Sequence, residues 1–194
     1  MKRLLFILLL TTILSGFTSL SISPSDASKT LTIVVPAPMY KIPTKKIVIE
    51  NFIEVEMPKS IIADSILDKQ ISIESRWHHT VKDSTGQIVL LTSQDGAVGI
   101  AQFLPDTWRC LKAMKVIPSN YSIWNKNHQL AAHRLFMNYL VGLDYGIEYD
   151  KVRLAVAAYN TGSYRVQKAV KKYGIDWEKH LSKQTKKYLN LIIG

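Results

Sequence analysis

The sequence predicts a mainly helical α+β domain with one small β-hairpin, on three grounds. Apolar residues recur at helical spacing through most of the second half of the chain. Leu154-Ala155-Val156-Ala157-Ala158 is apolar on every side, the pattern of a helix at the centre of a helical domain. Two short β-prone runs, Thr80-Val81 and Ile88-Val89-Leu90-Leu91, flank the turn-forming Asp83-Ser84-Thr85-Gly86. With 194 residues, 47% of them hydrophobic and 21% charged, the chain suits one compact core plus a processed or flexible end.

That end comes first. Lys2-Arg3 precede the apolar run Leu4 to Phe17, and Ser25-Asp26-Ala27 puts small residues where a signal peptidase would read, so residues 1–27 are expected to be an export signal. An uncleaved anchor is the alternative, because Leu20 and Ile22 prolong the apolar stretch. Either way the remainder is expected to be periplasmic or secreted. Residues 28–58 carry Pro36, Pro38, Pro43 and Pro58 among short β-prone runs and read as an extended stem. The folded domain is then expected over residues 59–194.

Within the domain, Ser60 can cap a helix in which Ala63, Leu67 and Ile71 recur every four residues, with Glu74 three residues further on. This spacing sets Glu74 on the apolar face, near the partially negative C-terminal end of the helix. Desolvation and the helix dipole would both disfavour a charged carboxylate there and raise its pKa. A frayed helix end with Glu74 in solvent fits the same periodicity. After the hairpin, Pro105-Asp106-Thr107-Trp108 reads as a helix start. Ala132, Leu135, Phe136, Tyr139, Leu140 and Leu143 form an amphipathic stripe, with Gly146 as its stop. The all-apolar helix ends at Tyr159-Asn160-Thr161-Gly162, and two more helices follow, around Tyr164 to Tyr173 and Gln184 to Leu191.

A formal charge of +10 points to an acidic partner without choosing among nucleic acid, an anionic membrane and an anionic cell-wall polymer. Export removes DNA and RNA from that set. Cys110 is the only cysteine, which excludes an internal disulfide and a cysteine-clustered metal site, and it is expected to be a buried small hydrophobe. His78-His79 are adjacent imidazoles with no third ligand at motif spacing; they are expected at the surface, with no metal bound. Lys171-Lys172 and Lys186-Lys187 read as solvated helix faces that could also attract an anionic wall, while Trp108 and Trp124 read as core.

Four separated motifs carry a more specific signal. Glu74-Ser75, Gly96-Ala97-Val98-Gly99-Ile100-Ala101-Gln102, Ala158-Tyr159-Asn160-Thr161-Gly162 and Gln184-Thr185-Lys186-Lys187-Tyr188-Leu189 occur in that order. Together they resemble the lytic transglycosylase domain of the goose-lysozyme-like superfamily, over roughly Ser60 to Leu191. The resemblance implies a lysozyme-like fold and peptidoglycan glycan strands as the partner. No cofactor is expected, nor any oligomer, although cell-envelope assembly partners fit an exported protein.

What the resemblance implies for the residues is concrete. Glu74 matches the catalytic acid, which would protonate the bond between N-acetylmuramic acid and N-acetylglucosamine and then deprotonate the C6 hydroxyl that closes a 1,6-anhydro ring. Such a carboxyl must start protonated, above the ordinary value of about 4.3. Ser75, Ser93, Gly99, Gln102, Tyr159, Asn160, Gln184 and Tyr188 would line the substrate cleft. Ser93 matches a serine that holds the acetamido region or a water. Gly99 would serve backbone geometry, Gln102 would bind sugar or support the Glu74 loop, and Tyr159 and Asn160 would form the cleft floor.

Two departures stand out. Gln184 replaces the family's usual Glu, and the spacing from Glu74 to Ser93 is longer than usual, a length the hairpin would absorb. Goose-type lysozymes carry acids where this chain has Ser93 and Leu104, so a transglycosylase that needs no second carboxylate is favoured over a hydrolytic muramidase. Asp95, beside Gly96, keeps the muramidase alternative open. A glycan-binding or assembly module without turnover is the alternative from another class.

Overall fold

The computed structural model describes residues 55–194. The expected signal segment and all but the last residues of the expected stem lie outside them. The element order is α1 (Asp64–Ser75), β1 (Thr80–Lys82), β2 (Ile88–Leu90), α2 (Pro105–Ala113), α3 (Lys126–Gly142), α4 (Lys151–Thr161), α5 (Ser163–Tyr173), a 3-10 helix (Gly174–His180) and α6 (Lys183–Ile192). The fold is mostly helical with one antiparallel hairpin, in the register Thr80↔Leu90, Val81↔Val89 and Lys82↔Ile88. Asp83 makes the turn: its Oδ1 accepts from the backbone N–H of Thr85 at 2.8 Å and of Gln87 at 3.1 Å, while Gly86 takes the left-handed φ of 82°.

Several helix ends differ from the sequence reading. Ser60 does not cap α1; its hydroxyl accepts from Ile62 N at 3.0 Å and donates to Asn138 Oδ1 at 3.3 Å. The helix starts later, at Asp64, with Ala63 exposed at its N-cap, so the buried stripe begins at Leu67. α3 stops at Gly142 and not at Gly146. The chain folds back after Leu143, and Leu140 O accepts both from Leu143 N at 3.3 Å and from the Tyr145 hydroxyl at 3.0 Å, which ties the following loop to the helix end. α2 starts as expected, with Pro105 in its first turn.

α4 is the central helix: Leu154 to Ala158 are at most 1% exposed, and α3, α5 and α6 all pack against it. Small side chains on every face let three neighbours approach at once. Asp150 caps it by accepting from Val152 N and Arg153 N, and Arg153 then reaches Glu178 through two bonds of 2.7 and 2.8 Å. The core has two clusters. One gathers around α4 with Met137, Leu140, Trp177 and Leu189; the other joins Ile100, Ala101 and Phe103 to Trp108, Leu111, Ile117 and Ala132. α1 serves both, because Leu67 belongs to the first and Ile71 to the second. Glu74 follows Ile71 by one turn, in the last turn of the same helix.

Candidate active site

Glu74 is half-buried in the last turn of α1. Its helix does not fray. Arg76 N donates to Ser72 O at 2.9 Å, His78 N to Ser75 O at 3.0 Å, and the chain leaves through two consecutive non-glycine residues of positive φ, Arg76 at 53° and Trp77 at 65°. Gln102, at 49°, is another. Side chains seldom adopt this conformation, and such residues gather where a structure holds functional groups in place. Three of the four such residues described, Lys115 being the other, flank the two motifs expected to form the cleft.

α6 packs on both α1 and α4 and brings Tyr188 to Glu74, where the phenol donates to Oε1 at 2.7 Å. On the other side, Gln70 Nε2 donates to the Tyr188 oxygen at 3.4 Å. Burial pushes the Tyr188 hydroxyl well above its ordinary value, and the nearby charge of Glu74 adds to the shift. Tyr159 on α4 is raised by the same causes in the same order. Both phenols therefore remain neutral donors. Tyr159 spends its proton on Ala101 O at 2.6 Å, which ties α4 to the glycine turn.

That turn is braced from several directions. Ala101 N donates to Gln129 Oε1 at 3.0 Å, and Gln129 Nε2 donates to Ile123 O at 2.6 Å. Ile100 N donates to His79 Nδ1 at 3.2 Å, which leaves Nε2 of a neutral ring to donate to Trp124 O at 3.1 Å. The Gln129 amide lies directly over Gly99, where a Cβ would stand 2.2 Å from Nε2. The hairpin continues into this turn: Leu91 N bonds His79 O, Gly99 N bonds Leu91 O, and Val98 bridges both Thr92 and Phe103. The inserted strands thus form one continuous frame with the glycine motif.

A family model, the transglycosylase SLT domain, matches residues 52–182, well over half of the chain. The chain belongs to this family. Among solved structures, the SLT domain is similar to the 70 kDa soluble lytic transglycosylase of Escherichia coli, with a TM-score of 0.53 and 20% identity over 69% of this chain and 21% of that one. The chain thus spans about a fifth of that enzyme's length, and the likeness shows a shared lysozyme-like fold. No curated protein matches the chain.

The other residues expected to line the cleft take distinct places. Gln184 is exposed in the first turn of α6, one turn before Tyr188 and on the same helix face. Asn160 is half-buried near the end of α4. Ser93 closes a tight turn, its Oγ accepting from Ala97 N at 3.0 Å, and Asp95 is exposed in that turn. Gln102 is half-buried and donates to Gly99 O at 2.8 Å, supporting the loop. Ser75 is buried and its hydroxyl donates back to Ile71 O at 3.2 Å, so it secures the helix end beside Glu74.

Three bracing side chains escaped the sequence reading. His79 is 4% exposed and not a surface residue, because its ring joins the glycine turn to the Trp124 segment. Gln129 and Gln70 are each fully buried. A signal for Gln70 existed: a polar residue stands on the apolar stripe one turn before Glu74. Cys110 is half-buried rather than buried; Trp108 is core, and Trp124 is half-buried. Among the described residues, no three His, Cys, Asp or Glu side chains are grouped to hold a metal ion.

Proposed function

We propose that this SLT domain is an exported peptidoglycan lytic transglycosylase in which Glu74 is both acid and base. Protonated Glu74 gives its proton to the glycosidic oxygen as the bond from the N-acetylmuramic acid C1 breaks, and the sugar's own acetamido oxygen closes on C1. The Glu74 carboxylate then takes the proton of the C6 hydroxyl, whose oxygen displaces the acetamido group and forms the 1,6-anhydro ring. Glu74 ends protonated, and no water is consumed.

The observation that carries this reading is the 2.7 Å bond from Tyr188 to Glu74 Oε1, in a chain whose Glu74, glycine-turn and Tyr159 motifs all lie within the residues matched by the family model. A neutral phenol fixed on one carboxylate oxygen steadies the charge that appears when the acid gives up its proton. Ser93, Gln102, Asn160 and Gln184 are proposed to contact glycan, Tyr159 and Tyr188 to shape the floor of the cleft, and Gly99 and Ser75 to hold the backbone around it. Lys2-Arg3, the apolar run after them and Ser25-Asp26-Ala27 support a signal at 1–27 and action in the cell envelope, with 28–58 as a stem.

Mass spectrometry of purified peptidoglycan digested by the protein tests the reading. Anhydromuramic ends are expected, and Glu74→Gln should slow their release by about 10²- to 10⁴-fold, the usual range for losing a positioned proton-transfer group. Reducing ends alone would mean that water attacks, making the protein a muramidase. Equal turnover by wild type and Glu74→Gln would remove Glu74 as the catalyst, and no turnover by the wild type would favour a binding module.

A further inference from the structure

We propose that Gln70 is a positioning residue that holds the Tyr188 hydroxyl proton on Glu74. Gln70 and Glu74 stand one turn apart on the inner face of α1, and the phenol oxygen of Tyr188 sits between them, 3.4 Å from Gln70 Nε2 and 2.7 Å from Glu74 Oε1. Tyr188 has one proton to give. With that proton committed to Glu74, the group behind the phenol must itself be a donor, which selects the NH₂ side of the Gln70 amide. The order of donation is then Gln70 to Tyr188 to Glu74.

A second observation separates this arrangement from ordinary packing. Gln70 is fully buried, yet its Oε1 has no hydrogen-bond partner. A buried unpaired oxygen costs about 1–3 kcal/mol, and an apolar side chain of the same length would avoid that cost. Stability alone therefore argues against glutamine at this position. What glutamine provides is the N–H directed at Tyr188. By donating to the phenol oxygen it polarises the Tyr188 O–H and keeps it from rotating away from Glu74, so the carboxylate that remains after proton donation is met by a fixed donor.

This inference deepens the proposed function and rests on it, but part of its test does not. In protein carrying ¹³C in its glutamate carboxyls, the Glu74 signal is identified by its loss in Glu74→Gln and followed through a pH titration. Gln70→Met, close in length and unable to donate, should raise the Glu74 midpoint by a few tenths of a unit or more and leave thermal stability equal or higher. On peptidoglycan it should lower kcat by about fivefold with little change in KM, the size expected from one hydrogen bond, and move the alkaline limb of the pH profile upward. Gln70→Leu should give the same titration shift. In a Tyr188→Phe background neither substitution should shift the midpoint further. An unchanged midpoint in both Gln70 variants, an equal shift with Tyr188 already replaced, or a clear loss of stability in both would overturn the proposal. Should the wild type fail to cleave peptidoglycan, the functional reading falls while the titration still decides the role of Gln70.

Discussion

The hydroxyl of Tyr188 donates to Oε1 of Glu74 at 2.7 Å, across 114 residues of sequence. The bond joins the first helix of the domain to the last, and it forms beside the buried small-residue helix against which α6 packs. Because burial and the charge of Glu74 both hold Tyr188 far above its ordinary pKa, the phenol donates at any pH at which the protein works.

Tyr188→Phe removes this donor, and with it the acceptor of the buried Gln70 amide. A hydrogen bond to a charged group contributes about 1.5–3 kcal/mol, so turnover should fall by about 10- to 100-fold. The ring still fills its place in the core, and the variant should fold. Steady-state release of soluble muropeptides, with thermal unfolding as control, measures both; a variant as active as the wild type would mean that Glu74 needs no help from α6.

Gly99→Ala is expected to be among the most damaging small substitutions in the domain. The new methyl would meet three atoms of the Gln129 amide at 2.2 to 2.7 Å, and the backbone at φ +73° strains any L side chain. Moving Gln129 breaks its bonds to Ala101 N and Ile123 O. A loss of about 2–4 kcal/mol follows from strain plus unpaired buried groups, readable as a lower urea midpoint. Gly86→Ala, in open space at the hairpin tip with φ +82°, should cost much less.

What sequence could and could not reveal follows from the range of each interaction. The hairpin, the buried Leu154–Ala158 helix and the Pro105 start were legible because local pattern decides them: a turn signal, an all-round apolar run, a residue suited to the first turn. Ser60 was misread because a hydroxyl near a helix start resembles a cap, and only the arrival of Asn138 on α3 shows where it bonds. His79 looked superficial for a similar reason. Its partners, Ile100 and Trp124, lie 21 and 45 residues away, and no local pattern records them. The placing of Glu74 was half legible: periodicity put it on the apolar face, but a frayed end fitted equally well until the Arg76-Trp77 turn and the Tyr188 bond fixed it.

His79→Phe keeps the ring volume but removes the acceptor of the buried Ile100 N–H and the donor to Trp124 O. An unpaired buried N–H costs about 1–3 kcal/mol, so the domain should lose about that much in chemical denaturation. Amide exchange at Ile100 should rise with it. Unchanged protection of that amide would mean the glycine turn does not depend on the imidazole.

His133 sets an acid limit on the fold. It is 1% exposed, its Nε2 has no partner, and its ring meets Tyr159 edge-on at 5.2 Å. Burial, with Arg134 adding to it, lowers its pKa from 6.5 to about 3. Above 6.5 the ring is neutral in both the folded and unfolded chains and contributes no pH dependence. As pH falls below 6.5 the unfolded chain takes up a proton that the folded chain refuses until about 3, so stability drops by up to about 1.4 kcal/mol per pH unit across that window. Glu178, held low by Arg153, also loses stabilisation in acid but does so whatever stands at position 133. His133→Leu should therefore flatten the decline between pH 6 and 4 without abolishing it. Urea midpoints of wild type and variant through that range measure the difference, and parallel curves would mean that His133 takes up its proton in the folded protein as readily as in the unfolded chain.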